Sequence, residues 1–414
     1  MKNKKVVIIG GGASGMMAAI SCKKHNPNYE VIILEKNFKL GRKVLATGNG
    51  RCNILNNNLD PKRFHTNSKI NSDYFIESIF NQFGEDDINN FFQEQNLGLR
   101  TENDGRIFPR VNQSLAVVKS LEYELEKLGV NIEYNFNVRE IKKETDNFIV
   151  TNSIDNSEII SDFLIIATGG LSYKDLGSSG DGYVFAKNFG HKITEFFPSI
   201  TTLKINNKII KKISGVRQEA IVRVIVDYKN IKEYFEELLF TDYGVSGSVI
   251  LQISRFAIEG LLQNKKVEIS IQFTNEEITK EQVEKVIRRQ ILISKGKKIK
   301  SVLLWFLNTV LIDSLFMGLE NKLCENITEK DIKEIVEILT NTRFTISGYK
   351  EWEQAQITSG GINLEDINEK TLESKLVNNL YFCGEVIDID GDCGGFNLSW
   401  AWSSGFVAGQ LKKA

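Results

Sequence analysis

Histidine and cysteine are scarce in this sequence, and their scarcity excludes several kinds of chemistry. Among 414 residues there are three histidines, His25, His65 and His191, and none sits in a pattern that marks a general base. His25 lies in a Lys-Lys-His-Asn run that reads as solvated surface. The five cysteines, Cys22, Cys52, Cys324, Cys383 and Cys393, are an odd set without C-x-x-C spacing. That argues against a disulfide framework or a zinc site and fits a reducing cytoplasm. Cys52 has no partner nearby in sequence, and a disulfide-reductase pair of Cys383 and Cys393 needs a meeting in space that their spacing does not predict. An excess of one charge is also lacking: 52 basic against 53 acidic residues leave no global field toward nucleic acid or an anionic membrane. No uninterrupted apolar run reaches the roughly 18 residues of a spanning helix, and no internal repeat is present.

What is present suits a globular chain. Hydrophobic residues make up 42% and charged residues 25%, enough apolar surface for real cores, and the length suggests two or three domains. The start, a basic head before an apolar stretch, has the outline of a secretory signal. Gly10, Gly11, Gly12 and Gly15 break that stretch, however, where a strand would meet a helix.

Those glycines carry the chemistry. Lys5 to Ile9 reads as a strand and Ala13 to Lys24 as a helix, so Gly10-Gly11-Gly12-Ala13-Ser14-Gly15 places G-x-G-x-x-G at a strand-to-helix corner. Gly10 permits the tight turn, Gly12 lets backbone approach a pyrophosphate, and Gly15 lets helix pack on strand; the helix N-terminus attracts the anion. Glu35 ends the next strand, Tyr29 to Glu35, where a carboxylate accepts from a ribose hydroxyl. These residues indicate a dinucleotide and leave NAD versus FAD open. No second complete G-x-G-x-x-G is present for a nicotinamide nucleotide.

Further along, residues 40–60 are rich in glycine and asparagine and read as a ligand-approaching loop. Val118, Leu121, Leu125 and Leu128 share a helical face ended by Gly129; a strand from Asn131 to Val138 follows, then an antiparallel meander through residues 138–160 and the strand Phe163 to Ala167. From His191 the texture becomes β-rich, and 279–340 reads as helical, opened by a capping box at Thr279 and Gln282. Glycine-rich texture returns near the end, where Gly394 to Asn397 turns into a helix over 398–411, so both chain ends are expected to build one domain. Asp388, Asp390 and Asp392 lack the later glutamate of a calcium loop and read as turn caps, so no metal is expected. The basic run Lys295 to Lys300, after Arg288 and Arg289, reads as a solvated face.

Five segments, in order, make the resemblance specific: KLGRKVLATGNGRCN (39–53), GRIFP (105–109), ATGGLSYKDLGSSGDGY (167–183), LLFTDYGVSGSVIL (238–251) and the C-terminal block from Leu380. They resemble the BaiN-like, or aminoacetone-oxidase-like, family of FAD-dependent oxidoreductases. The resemblance implies an α/β chain whose Rossmann-like FAD-binding domain spans 1–190 and 347–414. An inserted β-rich substrate domain spans 191–278 plus about 341–346, and a helical subdomain 279–340. It implies FAD with its pyrophosphate on Gly10, Gly12, Ala13, Ser14 and Gly15, its ribose on Glu35 beside Lys36, and its adenine near Val138. Arg42, Lys43, Thr47, Gly48, Asn49 and Gly50 would line the cofactor, with Thr168 and Gly169; Gly384 and Glu385 would approach the pyrophosphate and ribityl region, and Asn397, Leu398 and Ala401 the flavin. Tyr173 and Tyr243 are substrate-side candidates.

The expected function is hydride transfer between a small amine or unsaturated, steroid-like substrate and the flavin, with oxygen or transient NAD(P)H as electron partner. The expected setting is cytoplasmic, without nucleic-acid or membrane partners. The alternatives are an FAD-dependent RNA-modifying enzyme and a non-catalytic flavin sensor.

Overall fold

The computed structural model describes residues 3–274 and 278–413, and the chain divides into two compact units, Met1–Phe197 with Ile357–Ala414, and Pro198–Gln356. In the first unit the named elements are strand β1 (Lys5–Ile9), helix α1 (Ala13–His25), β2 (Glu30–Glu35), α2 (Arg42–Ala46), β3 (Phe64–His65), β4 (Asn131–Tyr134), β5 (Phe163–Ile166), β6 (Leu380–Phe382), β7 (Asp390–Gly391) and α3 (Phe396–Gly409).

Five of these strands form a parallel sheet in the order β6-β5-β1-β2-β4. Val6 to Ile9 and Phe163 to Ile166 are buried without alternation, as expected of central parallel strands covered on both faces. Helix α1 is apolar nearly all round, with ten of its thirteen residues buried, because α3 packs on it. Gly405 and Gly409, one turn apart in α3, allow this: a Cβ at either would stand 2.4 Å from the Ser14 carbonyl oxygen or 2.3 Å from that of Ala18. The first and the last helix thus touch backbone to backbone, and Trp402, fully buried, donates its indole N–H to the Ile54 carbonyl at 3.0 Å.

Two expectations for this unit need correction. The glycine-rich stretch 40–60 is not all loop: it holds α2, entered through left-handed Gly41 (φ 64°) and anchored by buried Val44. Flanking glycines masked this short amphipathic turn. The strand expected over Asn131 to Val138 is two strands, β4 in the main sheet and Val138–Glu144 in a three-stranded antiparallel meander. Left-handed Asn135 (φ 57°) breaks them apart.

The second unit carries a seven-stranded antiparallel sheet. Its longest hairpin, Arg217–Val226 with Lys229–Phe240, turns at Asp227 and Tyr228, both at positive φ (45° and 68°), the backbone of a hairpin turn that matches strand twist. Helix Ser248–Leu262 packs on this sheet. Helices Lys280–Ile293, Lys300–Leu303, Thr309–Leu315 and Glu329–Asn341 follow, and Thr279 with Gln282 forms a reciprocal capping box. Among the described residues no helix is long and apolar enough to cross a membrane.

Candidate functional site

The site is built from glycine corners in the first unit. At the β1–α1 corner Gly10 has φ 104°, and a Cβ there would lie 2.5 Å from the Ala167 carbonyl oxygen; a Cβ on Gly15 would lie 1.9 Å from that of Gly10. These two glycines are demanded by the fold. Gly12 differs: a Cβ there meets nothing within 4 Å, so the open space in front of it serves something other than packing. Gly12 is the N-cap of α1, no side chain caps the helix, and its first turn holds no acidic residue. The helix start therefore presents amides and a positive dipole end to whatever enters.

Glu35, at the end of β2 and only 8% exposed, accepts from the Gly11 N–H at 2.9 Å and from the backbone and side-chain amides of Asn37 at 2.8 and 2.6 Å. Asn37 also accepts from Arg42 through its side-chain oxygen. Lys36 is tied to Ser179 and, at 2.8 Å, to Asp181. The carboxylate is thus fixed against the glycine corner, whereas the Lys36 ammonium already has an anionic partner. Val138 is half-buried at the head of the meander.

A second corner lies at Gly384 (φ 77°), which touches the first: a Cβ on Gly384 would stand 2.4 Å from the Ser14 hydroxyl, and that hydroxyl donates to the Cys383 carbonyl at 3.4 Å. Ser404 accepts the Gly384 N–H at 2.9 Å, and the Trp400 indole donates to the Gly384 carbonyl at 3.2 Å. Beside this corner, Lys43 pairs with Glu385 at 2.7 Å and donates to Ser172 at 2.9 Å, while Glu385 accepts the Thr358 N–H at 2.8 Å. Thr358 in turn accepts the amides of Leu171 and Ser172. Thr168 and Gly169 (φ 72°) follow β5 into the same neighbourhood, and the Gly169 Cβ position is 3.9 Å from Glu385 Oε2. Tyr173, half-buried and left-handed (φ 60°), lies 5.9 Å from the Lys43 ammonium, and burial pushes its hydroxyl pKa up.

Within Thr47 to Gly50, Gly48, Asn49 and Gly50 are all left-handed (φ 55°, 56° and 82°). The amides of such a turn are oriented for an anion or carbonyl oxygen. Cys52 beside it is fully buried and its thiol is pushed up to about 12, as is that of Cys383; both stay protonated near neutrality and neither is an activated nucleophile. Among the described residues no disulfide joins the cysteines.

A third corner, Gly394-Gly395, opens α3, with Gly395 (φ 102°) as N-cap and again no acidic first turn. Asn397 spends its side chain on the preceding loop, accepting from the Gly391 N–H at 2.8 Å and donating to the carbonyls of Gly391 and Asp392 at 2.8 and 3.3 Å. Leu398 is half-buried beside it, and Ala401 is 9% exposed.

The three aspartates before this corner are buried. Asp388 accepts from Thr66 at 2.9 Å, Ser68 at 2.6 Å and the Asn67 N–H at 3.1 Å. Burial outweighs these donors and, with some help from Asp390, pushes its carboxyl up to about 6. The unfolded value is near 3.8, so this group's contribution to stability is complete below about pH 4 and is lost as pH rises through 6. A shift of about two units corresponds to about 3 kcal/mol. Asp388→Asn is expected to abolish this dependence: urea unfolding at pH 4 and 7 should show wild type losing about 2–3 kcal/mol more than the variant. Equal losses would contradict the assignment.

Among the described residues no cluster of His, Cys, Asp and Glu could hold a metal ion. Part of the basic run of the second unit is engaged: Arg288 pairs with Glu284 and Glu329, Lys300 with Asp313, and Lys298 bonds Asn321. Tyr243, also there, has the Lys350 ammonium 4.4 Å over its ring. Sequence reading did not anticipate Asn37, Ser172 and Thr358, which orient the carboxylates of Glu35 and Glu385. They are ordinary polar residues, and only Asn37, two positions past Glu35, carried a local signal.

The sheet and the joined glycine corners define a Rossmann-type dinucleotide-binding protein. The chain belongs to the HI0933-like Rossmann family of FAD-dependent oxidoreductases, the family that its motifs resemble: the profile described as "HI0933-like protein Rossmann domain" matches residues 4–411. It is 32% identical, over 98% of both chains, to the 3-dehydro-bile acid delta(4,6)-reductase of Clostridium scindens. It is 28% identical to the ribosomal RNA dihydrouridine synthase of Haemophilus influenzae, over 97% of this chain and 96% of that one. Among solved structures, the 3-ketosteroid delta1-dehydrogenase of Sterolibacterium denitrificans matches over 99% of both chains, with a TM-score of 0.53 at 10% identity, a likeness of fold.

Proposed function

We propose that this protein is an FAD-dependent reductase of carbon–carbon double bonds conjugated to a carbonyl. The observation that carries the reading is the junction of the first two corners, Ser14 against Cys383 and Gly384, beside an open Gly12. It suits an extended diphosphate whose adenosine end reaches Glu35 and whose ribityl end passes Lys43 and Glu385. FAD supplies the hydride chemistry when bound. The α1 amides would neutralise the diphosphate, Glu35 would hold the ribose hydroxyls, the left-handed turn at 48–50 would line the cofactor, and the α3 N-terminus would favour negative charge on the reduced ring.

The two relatives guide the choice of substrate. Both names describe saturation of a carbon–carbon bond conjugated to a carbonyl, in a 3-oxo steroid acid or in uracil. A small unsaturated carbonyl compound is the favoured substrate here, with transiently docked NAD(P)H as electron source. The second reading, uridine in RNA, rests on the Haemophilus relative; the ion pairs of Arg288 and Lys300 weigh against it.

The test is a visible spectrum of purified protein, then anaerobic reduction and mixing with enones, amines and RNA. A flavin spectrum and reoxidation by an enone are expected. Colourless protein that takes up no FAD would overturn the cofactor assignment, and turnover only with amines would overturn the ene-reductase assignment. Salt-dependent RNA binding with dihydrouridine formation would select the second reading. Glu35→Ala is expected to weaken FAD by about 1.5–3 kcal/mol, the worth of a charged hydrogen bond. Equal affinity in a fluorescence titration would remove Glu35 from the site.

A further inference from the structure

The helices that follow the antiparallel sheet leave an apolar, basic surface uncovered. Among the described residues, seven of the twenty large apolar side chains that stand exposed fall between 292 and 323, a density that scattered surface residues do not reach. Trp305 is 70% exposed, Ile293 68%, Leu292 66% and Met317 65%. Backbone pairing draws this stretch together. Helix Lys280–Ile293 packs on helix Lys300–Leu303, which buries Val302 and Leu303 before the chain continues through Leu304 and Trp305. The Ile299 N–H donates to the Lys322 carbonyl at 2.8 Å and the Lys300 N–H to that of Glu320 at 3.2 Å. Leu323 therefore stands opposite Lys298, and Met317 lies three residues before Glu320. The same stretch is basic: residues 288–323 hold seven Lys or Arg against two Asp or Glu, in a chain of 52 against 53. The balanced total, which argued against a membrane partner, conceals this local excess. Arg288, Lys300 and Lys322 are paired with acids. Exposed Arg289, Lys295 and Lys297 form no salt bridge among the described residues, and Glu325, just beyond, accepts the Gly296 N–H at 2.9 Å.

We propose that this face of the second unit is a docking surface for an anionic phospholipid bilayer, on which the protein lies without crossing it. The proposal does not depend on the reductase reading. Clustered exposed apolar side chains mark a partner, because burying them away from water is favourable only when something covers them. Their mixture with unpaired cations says which partner. Leu292, Ile293 and Met317 can enter the boundary of the acyl region, the Trp305 indole suits the border between polar and apolar layers, and Arg289, Lys295 and Lys297 can meet lipid phosphates. The lysine stems add apolar length while their ammonium groups stay at headgroup level. Other occupants fit less well. A second copy docked through the same face would set one excess of positive charge against another. A single-stranded nucleic acid would suit the lysines and Trp305, but the aliphatic side chains offer no ring on which a base could stack. With no helix among the described residues long and apolar enough to span, attachment through this face is reversible and sensitive to salt.

The experiment mixes the full-length protein as purified with vesicles of phosphatidylglycerol and phosphatidylcholine, or of phosphatidylcholine alone, and follows co-sedimentation as salt is raised. Wild type is compared with the double variants Leu304→Ser with Trp305→Ser and Lys295→Glu with Lys297→Glu. Wild type is expected to pellet with the anionic vesicles at low salt, to be released as salt rises, and to stay in solution with phosphatidylcholine alone. Each double variant is expected to need at least about tenfold more anionic lipid for half-binding, with melting midpoint and flavin colour unchanged. Hydrogen exchange in wild type gives a second reading: anionic vesicles are expected to slow it across 289–305, and this measurement decides alone if a variant does not fold. No pelleting with anionic vesicles, equal pelleting with neutral ones, half-binding unchanged in either variant, or exchange unaltered across 289–305 would each overturn the proposal. So would self-association lost in the Leu304→Ser, Trp305→Ser variant in place of lipid binding, or retention by a single-stranded RNA oligonucleotide and not by vesicles.

Discussion

Gly12→Asp is expected to give a folded, colourless protein. The fold makes no use of the empty Gly12 side-chain position, since a Cβ there meets no atom within 4 Å, so thermal unfolding should stay within about 2 °C of wild type stripped of FAD, the range of a neutral surface change. The ligand is affected differently. A carboxylate at this position would face the diphosphate where α1 presents its amides, exchanging attraction for like-charge repulsion in a partly desolvated corner. At an effective dielectric near 20 that repulsion amounts to several kcal/mol, a loss of FAD affinity of about 1,000-fold or more. Absorbance at flavin wavelengths after gel filtration checks colour, and the melting curve checks the fold. A yellow variant would displace the cofactor from this corner; a molten one would show that the space in front of Gly12 matters to folding.

Gly405→Val is expected to do the reverse, striking the fold first. A Cβ at Gly405 falls 2.4 Å from the Ser14 carbonyl oxygen and 3.0 Å from its Cα. Those are backbone atoms, so no side chain can rotate aside and α3 must lift from α1. Overpacking of this kind costs about 1–3 kcal/mol where neighbours can yield and more where they cannot. Lifting α3 also separates Ser404 from the Gly384 amide and Trp400 from the Gly384 carbonyl. Flavin retention and the unfolding midpoint should therefore fall together, the midpoint by roughly 5 °C or more. An unchanged midpoint with normal colour would mean that the two helices are not in such close contact.

The contrast between these glycines indicates what the sequence could convey. The strand, glycine turn and helix at Lys5 to His25 were legible because each glycine has a local reason visible in the spacing. The meander was legible from its alternation, and the helix after Thr279 from its capping box. Gly405 and Gly409 carried no such signal, since their reason is a helix almost 400 residues away. The same holds for His65. Its carboxylate partner, Asp392, lies 327 positions further on. The resemblance places Asn397 beside the flavin, but nothing local announces that its side-chain amide also holds the loop before it. Local pattern reports which backbone corner forms, whereas the occupants of that corner's side-chain hydrogen bonds depend on chain that arrives from elsewhere.

The backbone contact between α1 and α3 also sets an order of events during synthesis. α1 is made long before the surface that covers it leaves the ribosome, since α3 follows it by roughly 350 residues or more. Until then the face of α1 that holds Ser14, Ala18 and Ser21 has no cover from α3 and must be tolerated or shielded, while the antiparallel unit between has all its own strands and can fold as it emerges. A pause or truncation before Phe396 would strand a half-built nucleotide cradle with an oily helix showing, the kind of nascent chain that chaperones engage.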